Sequence, residues 1–135
     1  MTAGIDRPPD APRLRFRLDH VVRYLLWAGL LVPWTWVLLI PVPPAAVKAV
    51  GGSDMSFILS KTLHFGVYAA LAFLTAWLPL GRKWRIILLV MLIGHGGTTE
   101  FLQQFVQRNS SYLDFGRDSL GIGLGCLLSW RRWRA

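Results

Sequence analysis

The feature that most limits what this chain can fold into is a run of apolar residues over 21–40. It matches the roughly 20 residues a helix needs to cross a bilayer core. Two more such runs follow, over 62–80 and 84–106, and most basic residues lie between the runs rather than inside them. The chain has 135 residues, is 53% hydrophobic and holds 7 Trp, so a soluble fold would have too little polar surface to cover its core. The net charge of +8 would suit a nucleic-acid binder, but its placement between apolar runs points to a membrane instead, and no nucleic acid is expected as a partner. A cleaved signal peptide fits the first run poorly, because its apolar core would span only about 7–15 residues. The expected fold is all-α: an integral membrane, four-transmembrane-helix bundle of a cytoplasmic (inner) membrane.

Residues 1–19 form a basic arm with Pro8, Pro9 and Pro12 and with Arg13, Arg15 and Arg17, expected to be flexible and cytoplasmic. Residues 20–135 are the membrane domain. Pro33 falls inside the first span and should kink it. Pro41, Pro43 and Pro44 end that span, and 41–60 is expected to be a loop resting partly in the interface. Gly81-Arg82-Lys83 is short enough to join the second and third spans as an antiparallel hairpin. The fourth span is the shortest. To cross it must begin near Asp114 and run to Trp130, a length of roughly 25 Å at 1.5 Å per residue. This forces Asp118 to membrane depth. With the N-terminus inside, 11 of the 15 Lys and Arg residues fall on the cytoplasmic side and 4 on the other (Lys48, Lys61, Arg108 and Arg117), so both ends are expected inside. Cys126, the single cysteine, lies in an apolar run as a small buried hydrophobe and can form no intrachain disulfide.

This topology sorts the polar residues by depth. Lys61, His64 and Tyr68 share one face of the second span in its outer half. Glu100, Gln103, Gln104 and Gln107 share a face of the third, and Asp114, Asp118, Gly121 and Gly125 make a stripe on the fourth. Lipid exposure would be costly for these groups, so the stripes should face one another as an outer polar pocket. Near the helix ends, at Lys61, Gln107, Arg108 and Asp114, residence in the headgroup region is an equally good account. Even deeper groups can be interhelical glue alone. His95 points elsewhere around the third span and reads as a packed histidine bonded to a neighbouring helix. Gly121 and Gly125 let a neighbouring helix approach closely.

Residues 61–68, Lys-Thr-Leu-His-Phe-Gly-Val-Tyr, resemble the D-K-x-x-H-x-x-x-Y opening of VanZ-like membrane proteins. Glu100-Phe-Leu-Gln103 resembles their E-x-x-Q, and Arg108-Asn-Ser-Ser111-Tyr-Leu-Asp114 their R-x-x-S-x-x-D. Asp118-Ser-Leu-Gly121 with Gly125 stands where the family has N-x-x-G-x-x-x-G. The similarity covers about residues 60–126, in order and in spacing, with Ser60 in place of an acidic residue and Asp118 in place of an asparagine. It implies a multi-helix membrane fold, and the residues expected to form the outer polar pocket are Lys61, His64, Tyr68, Glu100, Gln103, Arg108, Ser111, Asp114 and Asp118. The family's namesake is associated with low-level resistance to the glycopeptide teicoplanin. No mechanism comes with the resemblance.

Two classes of function remain, beside a purely structural membrane subunit. In the first, the pocket binds a polar lipid headgroup or a lipid-linked cell-wall precursor, with Lys61 and Arg108 pairing with phosphate. In the second, a membrane enzyme acts on a lipid-linked phosphate or sugar, with His64 as acid/base, Glu100 as its partner, and Asp114 and Asp118 able to share a metal. No complete phosphatase motif or Gly-rich phosphate loop is present, and neither a cofactor nor a metal is expected.

Overall fold

The computed structural model describes residues 11–41, 43–106 and 112–134, with side chains for 17–41, 43–105 and 113–134. Among these residues there are helices and turns and no strand. Helix α1 covers Ala11–Leu39, α2 Pro44–Ala49, α3 Ser53–Thr75, α4 Arg82–Gln103, α5 Tyr112–Leu128 and α6 Trp130–Arg134; a 3₁₀ turn, Gln104–Val106, extends α4. Three stretches are long and apolar enough to cross a membrane: Arg17–Leu39, Ser53–Thr75 and Arg82–Gln103. The chain is therefore a multi-pass membrane protein.

Several boundaries differ from the sequence reading. Helix α1 starts at Ala11, inside the stretch read as a flexible arm, because Pro12 is tolerated in a first helical turn and nothing after it breaks the helix. It also continues through Pro33. The loop expected over 41–60 is instead α2, a glycine pair, and the first two turns of α3. Pro44 opens α2, and Gly51 and Gly52, at φ 99° and 95°, supply the left-handed turn that lets α3 start at Ser53. At its other end α3 stops at Thr75, not Leu80, because Pro79 disfavours helical backbone at Leu78. Arg82 and Lys83 accordingly sit in the first turn of α4 rather than in the connection. Helix α5 has 17 residues and contains Asp114, Arg117 and Asp118, which leaves it shorter than the other three.

Contacts fix the direction of each helix. Arg23 donates to the Trp77 carbonyl at 3.0 Å and Trp27 Nε1 to Thr75 Oγ1 at 2.9 Å, while Trp34 packs edge-on against His64, so α1 and α3 run antiparallel. Lys61 meets Asp114 and His64 meets Asp118, so α3 and α5 run parallel. This parallel pair has the most extensive contact in the molecule. Its closeness comes from two glycines. A Cβ at Gly121 would overlap the Phe65 carbonyl oxygen. One at Gly125 would overlap the Ala69 carbonyl and stand 2.8 Å from Ala72 Cβ. Backbones this near gain van der Waals contact where lipid offers no hydrophobic drive between helices.

Burial is inverted relative to a soluble domain. The large exposed side chains are apolar, among them Trp36, Val90, Phe105 and Leu127, whereas His64, Thr75, Thr99, Glu100, Gln103, Asp114, Asp118 and Ser129 are buried. With hydrocarbon as solvent, apolar groups face out freely and polar groups turn inward to find partners. The basic and aromatic residues of the far end also pair: Arg132 lies over Trp77 at 4.0 Å, and Arg85 donates to the Arg132 carbonyl at 3.2 Å.

Candidate functional site

One end of the bundle, where α3 begins, α4 ends and α5 begins, collects the buried charges. The i, i+4 spacing of Asp114 and Asp118 puts both carboxylates on the α5 face that the glycine stripe presses against α3. Asp118 Oδ1 lies 3.2 Å from His64 Nδ1, and Glu100 Oε1 of α4 approaches the same nitrogen at 4.0 Å. His64, Asp118 and Glu100 are 4%, 2% and 7% exposed, so the cluster is enclosed by the bundle. Ligand atoms of the three lie within 4.8 Å of one another. The second oxygen of Asp118, Oδ2, has no hydrogen-bond partner and faces the bare Cα of Gly96, where a methyl group would stand 3.3 Å from it.

A turn toward the helix ends, Asp114 is held from two sides. Lys61 Nζ pairs with its Oδ2, and Arg117 Nη1 donates to its Oδ1 at 2.6 Å. Asp114 is 1% exposed, so both ion pairs form within the bundle. Lys61 also rests over the Phe57 ring at 5.0 Å. The two aspartates therefore do different things: Asp114 neutralises cations and Asp118 faces the histidine, so they do not form the shared Asp-x-x-x-Asp pair considered from the sequence.

Tyr68 joins a separate chain of hydrogen bonds. Thr35 donates its one hydroxyl proton to the Leu31 carbonyl at 2.8 Å, so it accepts from His95 Nε2–H at 2.9 Å. That leaves His95 Nδ1 to accept from the Tyr68 hydroxyl, also at 2.9 Å. The relay Tyr68 to His95 to Thr35 ties α3, α4 and α1 together, in accord with the packed-histidine reading of His95. The Tyr68 hydroxyl stays beside the carboxylate cluster: a methyl group on Gly96 would stand 3.5 Å from it and 3.3 Å from Asp118 Oδ2. Gln103 is buried on the Glu100 face of α4, and its amide nitrogen has no hydrogen-bond partner. Arg108 and Ser111 lie outside the described residues.

Three contributions were not foreseen. Arg117 had entered only through its charge. Gly96, within α4, leaves room at Asp118. Helix α1 had no site role, yet Trp34 meets the His64 ring edge-on at 5.2 Å and lines, with Leu38, Val50, Leu59 and Leu63, a groove of about 180 Å³ that His64 also lines.

The cluster offers proton exchange at an imidazole oriented by a carboxylate, cation binding by the two carboxylates, and anion binding by Lys61 and Arg117 where they reach beyond Asp114. Comparison with protein-family models, curated proteins and solved structures gives no match to this chain.

Proposed function

We propose that the chain is a VanZ-like protein of the cytoplasmic membrane that holds a polar lipid headgroup, or a lipid-linked cell-wall precursor, at its outer face. In this reading α5 is a fourth span and both termini are cytoplasmic, as the 11 to 4 distribution of basic residues favours. The observation that carries the proposal is the groove between α1, α2 and α3, lined mainly by apolar side chains and also by Ser56, Ser60 and His64. An acyl or prenyl chain fits the apolar walls, with a phosphate or sugar at its head beside His64, one helical turn from Lys61. The motif resemblance over 60–126 places the same residues in a cell-envelope context and suggests a link to glycopeptide susceptibility.

A second reading, an enzyme that acts on a lipid-linked phosphate or sugar, rests on the 3.2 Å approach of Asp118 to His64, an arrangement that orients an imidazole for acid/base work. Thermal melts in detergent test both. A polyprenyl phosphate should stabilise the protein, by about 2.7 kcal/mol at one hundred times its Kd, where the corresponding polyprenol does not. Equal shifts from alcohol and phosphate would refute headgroup recognition. Release of inorganic phosphate would move the reading to the enzyme.

A further inference from the structure

We propose that His64, Glu100 and Asp118 form a binding site for one first-row divalent cation. Each of α3, α4 and α5 contributes one ligand. The sequence reading expected no metal, although it set the three residues on polar stripes that should face one another. Four features support the site.

The donor set is one imidazole nitrogen and two carboxylate oxygens, a combination that suits Zn²⁺ or Mn²⁺ and leaves positions for water or substrate. The spacing is near what an ion requires. Ligand atoms about 2.0–2.2 Å from a tetrahedral Zn²⁺ stand roughly 3.3–3.6 Å apart. The structure has 3.2 Å from His64 Nδ1 to Asp118 Oδ1 and 4.0 Å to Glu100 Oε1, so a small rotation of Glu100 closes the set. Asp118 is 2% exposed and its Oδ2 has no hydrogen-bond partner, an uncommon condition for a buried carboxylate oxygen. Finally, Gly96 leaves a gap beside that oxygen which any other side chain would narrow, since even a methyl group would stand 3.3 Å from it.

The charge is also suitable. Glu100 and Asp118 each offer a carboxylate oxygen to one ion, a donor pair that suits a dication, while Lys61 and Arg117 are engaged with Asp114. Bound there, the ion would hold the three helices together.

The site stands independently of the headgroup reading, because an ion can bind with no lipid present. The test uses the full chain, purified in detergent and stripped with a chelator, then titrated calorimetrically with ZnCl₂ and, separately, MnCl₂. One ion per chain is expected. Affinity should fall by at least about 100-fold in His64→Gln, Glu100→Gln and Asp118→Asn, more than the 10- to 100-fold typical of losing an outer-shell partner. Cys126→Ser and Asp54→Asn should bind as the wild type does. Should the ligand variants fail to fold, the wild type alone decides. Added Co²⁺ should give the intense visible bands of a four- or five-coordinate site, and one equivalent of Zn²⁺ should bleach them. No saturable binding of Zn²⁺, Mn²⁺ or Co²⁺ overturns the proposal. Binding that survives the three ligand substitutions, or a Co²⁺ spectrum of the solvated ion, overturns it equally.

Discussion

Replacing Gly125 by Ala adds a single methyl group at the tightest approach of α5 to α3. That methyl would stand 2.8 Å from Ala72 Cβ and 2.9 Å from Phe73 N, besides overlapping the Ala69 carbonyl. Carbon atoms pack at about 3.5–4.0 Å, so the helices must separate locally by roughly 1 Å. Overpacking of this kind costs about 1–3 kcal/mol. The strain would not stay local. Asp118 lies two turns up the same face, so the 3.2 Å contact with His64 should lengthen as α5 moves. Gly123→Ala is the control. Nothing lies within 4 Å of a Cβ there, and Ala favours a helix over Gly by about 1 kcal/mol. Thermal melts of the two variants in one detergent make the comparison. Gly125→Ala should melt well below the wild type, with Gly123→Ala at or above it. Equal melting of the two would refute the claim that glycine sets the distance between α3 and α5.

Other substitutions probe the polar contacts. Glu100→Gln should keep more folded protein than Glu100→Leu on size-exclusion chromatography, because Gln retains hydrogen-bonding groups beside His64 where Leu retains none; equal yields would argue against a shared network. His95→Phe should cost about 1–3 kcal/mol in the same melts by stranding the buried Tyr68 hydroxyl, and adding Tyr68→Phe should recover part of the loss; strict additivity would mean that the relay does not couple them. For topology, cysteines at Ser53 and Ala135 in a Cys126→Ser background should react with an impermeant reagent on intact cells at position 53 only, and labelling at 135 alone would invert the orientation.

Much of the site could be read from helical spacing. Lys61, His64, Asp114, Asp118, Gly121 and Gly125 repeat at three or four residues, and the structure puts each on the α3–α5 contact. Spacing within a helix fixes which residues share a face, but it does not say which partner that face meets. That is why Tyr68, in register with His64, bonds His95 instead of a carboxylate. It is also why the Thr35 contribution was invisible: a single threonine in an apolar span carries no periodic signal. Boundaries failed where tight backbone geometry decided them. A positive-φ glycine pair allowed α3 to begin eight or nine residues before the apolar run, and one proline ended it early. Helix α1 hid its inner face because it is apolar all round, so only its packing against His64 singles out Trp34.

Native mass spectrometry of the detergent-extracted protein, wild type beside a His64→Ala, Lys61→Ala double variant, tests the headgroup reading most directly. The account predicts that the wild type retains a phosphate-bearing lipid, one molecule per chain, and that the variant, shown to be folded by size-exclusion chromatography, loses it while keeping ordinary annular lipid. Retention of the same lipid by both proteins, or of no phosphate-bearing lipid by the wild type, would contradict it.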